Sequence, residues 1–281
     1  MRTVRIAAHA KLNLTLDVVG RRADGFHELR SVMARISVAD DVRVARARRW
    51  HVVVRPPIGA AGRQGELSEH AARELARRLA RDDAAAIVVR KRVPVAAGLG
   101  GGSSDAAHVL RALATLWSAD PSVVRAVAAE VGSDVPFFLD GALAEVRGRG
   151  EAVRPLAGGP WHGVLVLPRG RIATGDAFAR LPPSSWSDGA RTEALVRVID
   201  SGGATAAQVR ELCGNDLDTV AISLSPEIAA IRASVGAPLF LSGTGPSLFA
   251  LADDRGEALR LRRRARRAGW RAQEIRIAVV P

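Results

Sequence analysis

The chain is predicted to be an α+β protein in two parts: an N-terminal mixed sheet with helices, and a C-terminal α/β sandwich of ferredoxin type. Three observations carry this. A β-branched run, a glycine loop and a helical repeat follow one another across Ala86–Trp117. Alternating apolar and polar residues fill much of the first 54 positions. From Trp161 onward, strand and helix patterns alternate in the order of a ferredoxin-type sandwich. A soft boundary near Pro155–Pro160 divides the chain into residues 1–157 and 158–281.

Residues 4–18 read VRIAAHAKLNLTLDV. Leu12, Leu14, Leu16 and Val18 point one way, and Lys11, Asn13, Thr15 and Asp17 the other. A strand with one buried face leaves the second set to water. Gly20–Leu29 opens with Ala-Asp-Gly turn chemistry, and Phe26 and His27, which follow, read on their own as a minor core contact. Ser31–Val38, Asp41–Val44 and His51–Val54 alternate as strands, and Pro56–Glu66 reads as a loop. Leu67–Arg81 is a helix capped by Ser68, with Ala71, Ala72, Leu75 and Leu79 as its apolar stripe.

Ala86–Val93 is a strand, and Pro94–Ala107 reads PVAAGLGGGSSDAA. Gly98, Gly100, Gly101 and Gly102 allow sharp turns and close backbone approach. Ala107, Leu110, Leu113, Ala114 and Trp117 recur at helical spacing behind them, and Ser103, Ser104 and Asp105 suit the cap and first turn. A helix N-terminus behind such a loop favours an anion, most often phosphate. No Lys follows the last glycine as in GxxxxGK[ST], and the spacing is not that of GxGxxG.

Asp120-Pro121 starts a helix that stops at Gly132. In GSDVPFFL, Gly132–Leu139, Asp134 is wedged between a helix stop and an apolar run, either as a cap or as a partly buried carboxylate in need of partners. Residues 141–156 form a strand and turn. In the second half, strands are expected at Trp161–Leu167, Leu239–Ser242, Ser247–Ala252 and Glu274–Val280. Helices are expected at Thr174–Leu181, with Thr174 as cap, at 190–200, 205–213 and 226–235, and at 255–267, the last strongly basic. Pro182–Gly189 is a linker, Asn215-Asp216-Leu217 a structural step, and SGTGPS at Ser242–Ser247 a second glycine turn.

Apolar residues make up 48% of the 281 and charged residues 25%, the balance of a soluble globular protein. The single cysteine excludes an internal disulfide and a cysteine metal cluster. No signal-peptide core or membrane-length apolar run is present, which suits the cytoplasm. The net charge of +12 fits an anionic ligand or nucleic acid, but the basic residues are spread out and the Arg260–Arg267 cluster lacks interleaved aromatics.

PVAAGLGGGSSDAA resembles the phosphate loop of the GHMP small-molecule kinases. Ala10–Asn13, Asp24–His27, Gly132–Phe138 and Ser242–Gly245 resemble further motifs of that family, above all of its branch acting on a cytidine-diphosphate-linked methylerythritol. The resemblance implies a two-domain GHMP kinase fold and transfer of the ATP γ-phosphoryl to the 2-hydroxyl of that substrate, a step of non-mevalonate isoprenoid (terpenoid) precursor synthesis. It implies Asp134 as general base assisted by Lys11. It implies a triphosphate cradle of Pro94, Val95, Ala96, Ala97, Gly98, Leu99, Gly100, Gly101, Gly102, Ser103 and Ser104. Asn13, Phe26, His27, Thr174 and Phe178 are implied against the substrate. Mg²⁺ is implied with ATP, although the sequence shows no dedicated carboxylate pair and identifies no metal ligand.

Two departures stand out. Phe26 lacks the hydroxyl of the tyrosine common in the family, and Glu66-Leu67 replaces an Asn-Leu step, which leaves the adenine contacts open. The expected partner is the small-molecule substrate, with no nucleic acid and no membrane, in a monomer or homodimer. The alternatives are another GHMP kinase, of homoserine or mevalonate type, and a non-enzymatic RNA-binding module. The DGFH loop argues against the first and the Lys11–Asp134 pairing against the second.

Overall fold

A computed structural model describes residues 2–56 and 65–279. β1 (Thr3–Arg21) and β2 (His27–Ala47) form a long antiparallel hairpin, turned at Gly25 with φ 87°. The two strands expected at Ser31–Val38 and Asp41–Val44 are one, because Ala39 and Asp40 keep their pairing with β1. β3 (His51–Arg55) leads through α1 (Glu66–Arg78) to β4 (Ala84–Arg90), which is parallel to β3 and antiparallel to β2. Most of the loop expected at Pro56–Glu66 lies outside the described residues.

α1 is not capped by Ser68. The chain enters it through left-handed Gly65, the helix starts one residue before Leu67, and Ser68 is buried inside the first turn. α2 (Gly101–Trp117), α3 (Pro121–Val131) and α4 (Val135–Asp140) follow, then β5 (Leu143–Gly148), antiparallel to β2, and β6 (Ala152–Pro155). Asp120 caps α3 by accepting the Ser122 N–H, as expected. The helices close over the sheet in a core that includes Val42, Leu75, Val89, Leu110 and Phe137.

The second half runs β7 (Trp161–Leu167), α5 (Thr174–Ala179), α6 (Ala190–Asp200), α7 (Ala206–Leu212), β8 (Gly214–Asn215), α8 (Asp218–Leu224), α9 (Glu227–Val235), β9 (Phe240–Leu241), β10 (Leu248–Ala252), α10 (Arg255–Arg267) and β11 (Arg271–Ile277). α8 is not anticipated by the sequence reading, and β11 begins three residues before Glu274. The order β11-β7-β10-β9, antiparallel throughout, is that of a ferredoxin-type sheet. Ile277 pairs with Ile36 and joins this sheet to the first. Leu12 and Leu14 of β1 pack in one core with Leu165, Phe249 and Ile275.

Candidate active site

The pairing of β1 with β2 is irregular between His9 and Lys11 and again between Asn13 and Thr15. Such bulges turn a strand and re-aim its side chains. Beside the first one the Lys11 N–H donates to the Leu99 carbonyl at 3.0 Å, tying β1 to the glycine loop. The polar face of β1 is not solvated: Lys11, Asn13, Thr15 and Asp17 are all buried. Thr15 and Asp17 are covered by the start of α6, where Thr192 donates its hydroxyl to Thr15 Oγ1 and its N–H to Asp17. Lys11 and Asn13 line a cleft of about 950 Å³.

Lys11 donates to Asn13 Oδ1, and Asn13 Nδ2 donates to Ser31 Oγ at 2.8 Å. Lys11 Nζ lies 3.7 Å from the Asp134 carboxylate. Burial pushes the Lys11 pKa down, and the Asp134 charge pulls it back up. Asp134 precedes α4 but makes no side-chain capping bond, and its side chain is 35% exposed. Its carboxylate therefore serves the cleft and not the helix end. The far end of α4 is held by buried Arg35, which donates to the Phe138 carbonyl; burial lowers the Arg35 pKa to about 10.

α2 begins at the glycines, with left-handed Gly100 (φ 65°) in the N-cap position. Ser103, Ser104 and Asp105 therefore lie inside the first two turns. Helix geometry leaves the N–H groups of Gly101, Gly102 and Ser103 without intrahelical acceptors, and these three residues line the cleft. Ser104 departs from its expected place in the triphosphate cradle. It is fully buried, its N–H donates to Gly100 and its hydroxyl to the His9 carbonyl at 2.6 Å. Gly98 (φ 73°) must be glycine, since a Cβ there would sit 2.0 Å from the Ser242 carbonyl. Ser242 Oγ donates to the Gly98 carbonyl at 3.0 Å, so the second glycine turn packs beside the first loop. Asn215 steadies that turn, donating to the Leu241 and Gly243 carbonyls.

Phe26, also lining the cleft, is 49% exposed, with the Arg149 guanidinium 5.3 Å from its ring centre. His27 stacks on Phe178 at 5.1 Å. The three rings share the cleft, but Phe178 faces His27, not Phe26. Thr174 is the first residue of α5 and does not cap it; its hydroxyl lies 3.5 Å from Thr244 Oγ1.

The cleft also holds Arg21 and Arg149, which sequence reasoning passed over, and Ser133 and Thr244, which it placed within motifs but gave no site role. Arg149 stands in a glycine turn, a signal that was visible but pointed to no ligand. Gly65, Glu66 and Leu67 line the edge where the Asn-Leu step was expected. The sequence showed no carboxylate pair, yet Asp40 and Asp105, 65 positions apart, both reach Lys91. That is two acids shared with a lysine. Among the described residues no three of His, Cys, Asp or Glu gather to hold a metal ion, so these side chains do not fit a Mg²⁺ cage of their own.

The model of the GHMP kinases N terminal domain matches residues 66–142, and that of the GHMP kinases C terminal matches residues 195–271. A 4-diphosphocytidyl-2-C-methyl-D-erythritol kinase of Gloeobacter violaceus is 36% identical, covering 92% of this chain and 88% of its own length. The chain belongs to the GHMP kinases. A relative in Nocardia farcinica with the same name is 37% identical over 99% of this chain and 94% of its own. Among solved GHMP kinase structures, a 4-(cytidine 5'-diphospho)-2C-methyl-D-erythritol kinase superposes with TM-score 0.78 at 32% identity, covering 99% of this chain and all of that one. A homoserine kinase from Cytophaga hutchinsonii superposes with TM-score 0.76 at 15% identity, covering 98% and 95% of the two chains, and so shares the fold. As a GHMP kinase the protein is an ATP-dependent phosphotransferase acting on an alcohol group. No helix among the described residues is long and apolar enough to cross a membrane.

Proposed function

We infer that this kinase phosphorylates the 2-hydroxyl of 4-diphosphocytidyl-2-C-methyl-D-erythritol in non-mevalonate isoprenoid precursor synthesis, acting in the cytoplasm as a monomer or homodimer. The observation that carries the chemistry is the buried Lys11 ammonium 3.7 Å from Asp134 beside the glycine loop. Phosphoryl transfer demands positioning and charge stabilisation more than covalent chemistry. The amides of Gly101, Gly102 and Ser103 and the α2 dipole hold the triphosphate. Asp134 accepts the proton of the attacking hydroxyl. Lys11, 3.7 Å from Asp134, stabilises the developing oxyanion. Asn13 orients Lys11 through their hydrogen bond. Phe26, His27 and Phe178 frame the cytosine, and Thr174, beside Thr244, meets the substrate nearer the second glycine turn. Residues 1–157 supply the loop, Lys11 and Asp134, and residues 158–281 supply Phe178 and the second glycine turn.

The names of the relatives support this acceptor over homoserine or mevalonate, as does the exposed Phe26 beside Arg149. The test is ADP release from ATP and Mg²⁺ with the cytidylyl substrate, homoserine, mevalonate and galactose compared. Turnover with the cytidylyl compound alone is expected; turnover with another alcohol instead overturns the acceptor.

A further inference from the structure

Pro94–Gly100 holds a shape that an unconstrained chain avoids. Ala96 has φ 52°, a left-handed conformation that strains any residue with a Cβ, and Gly98 and Gly100 also have positive φ. Such a shape persists only where the flanking structure imposes it. At this loop the flanks meet in one buried cluster. The Asp40 carboxylate of β2, fully buried, accepts the N–H groups of Arg92 and Val93, the two residues just before the loop. Asp40 also accepts from Lys91 Nζ, and Lys91 Nζ donates to Asp105 Oδ2 at 2.8 Å, in the second turn of α2 just beyond the loop. Gly101 rests on the same cluster: a Cβ there would meet Val93 at 2.9 Å and Lys91 Nζ at 3.3 Å. Burial lowers the Lys91 pKa, but Asp105 and Asp40 together outweigh it and hold the ammonium charged.

We propose that Asp40, Lys91 and Asp105 form a clasp that joins the two ends of the glycine loop and sets its affinity for the ATP triphosphate. They are positioning residues, acting through the amides of Gly101–Ser103. A loop held in its binding shape loses less freedom when the ligand arrives. The proposal rests on the loop's assignment to ATP, and not on the identity of the acceptor.

Direct electrostatics and a clasp make opposite forecasts for Asp105. If only the local charge mattered, Asp105→Asn would remove a negative group near the triphosphate and tighten ATP binding, while Lys91→Met would weaken it. A clasp is weakened by either change, because Lys91 loses a charged partner in one variant and its ammonium in the other, and a second change adds little. ATP binding is measured by titration calorimetry, and KM and kcat by ADP release, for the wild type, Asp105→Asn, Lys91→Met and the double variant, with melting temperatures alongside. Both single variants are expected to raise the Kd and KM for ATP about tenfold, the double variant no more than either, and the acceptor KM to move less than twofold. Tighter or unchanged ATP binding in Asp105→Asn overturns the clasp, as does a fall in melting temperature with ATP affinity intact. If Asp105→Asn does not fold, unchanged ATP affinity in Lys91→Met overturns it equally. Wild-type protein that binds ATP but does not turn over the cytidylyl substrate would refute the acceptor and leave this comparison standing.

Discussion

Lowering the pH should destabilise the protein through His108, a residue two turns beyond the glycine loop that does not line the cleft. His108 is fully buried in α2, and its Nδ1–H donates to the Ser104 carbonyl at 2.7 Å. The other ring nitrogen, Nε2, is buried with no hydrogen-bond partner among the described residues. Protonation there places a charged donor in an apolar setting, with Arg35 and Arg111 nearby as like charges. Burial is the chief reason that the His108 pKa falls from 6.5 to about 4. The unfolded chain therefore binds the proton more readily than the fold does. His108 contributes stability above about pH 6.5 that is lost as the pH falls toward 4. Each tenfold rise in proton activity across that window costs about 1.4 kcal/mol, which gives about 3 kcal/mol at pH 4. Asp105 works the other way. Burial raises its pKa, so its contribution is present at low pH and is lost as the pH rises. The comparison of wild type with His108→Leu cancels Asp105 and every other group that the two proteins share. Urea unfolding from pH 7.5 to 4 should show the variant losing about 3 kcal/mol less than the wild type over that range, at similar m-values. Parallel stability curves for the two proteins would refute the reasoning.

Asp134→Asn should lower kcat by roughly a hundredfold or more while unfolding at the wild-type temperature, because the side chain caps nothing. A near-normal rate would remove Asp134 from the base role. Phe26→Ala should raise KM for the cytidylyl substrate and spare kcat and the KM for ATP, since the ring meets a part of the substrate that does not react; steady-state kinetics with each substrate varied separates these. Gly98→Ala should destabilise the protein by about 3 kcal/mol or more, with its methyl driven against the Ser242 carbonyl and its backbone left-handed. Chemical denaturation checks this, and a loss below about 1 kcal/mol would show that the two glycine turns can separate at little cost.

Local chemistry was enough to read much of this protein from its sequence. The glycine loop before an apolar helix, the Asp-Pro start of α3 and the basic helix α10 are written in neighbouring residues, where capping, backbone freedom and 3.6-residue periodicity act. The order of strands in the second half likewise yielded the ferredoxin-type sheet. Helix starts were less legible. Ser68, Ser103 and Thr174 are good caps by composition, but Gly65, Gly100 and Ala173 take the cap positions because the preceding chain enters from a direction that only the tertiary fold sets.

What alternation along β1 left undecided was which polar residues meet water. The sequence makes Lys11, Asn13, Thr15 and Asp17 equivalent. The fold buries all four, then separates them, with Thr15 and Asp17 beneath α6 and Lys11 and Asn13 at the cleft. The meeting of Lys11 with Asp134 was proposed from motif resemblance; their 3.7 Å separation comes from a bulge in one strand and the placing of α4, neither of which has a local signal. The Asp40–Lys91–Asp105 cluster had no signal at all. Its members come from a strand, the residue after another strand and a helix, and nothing in the residues around Asp40 says that it will be buried. A lysine and two acids far apart in a chain are ordinary solvated charges until packing removes the water, and only the tertiary structure does that.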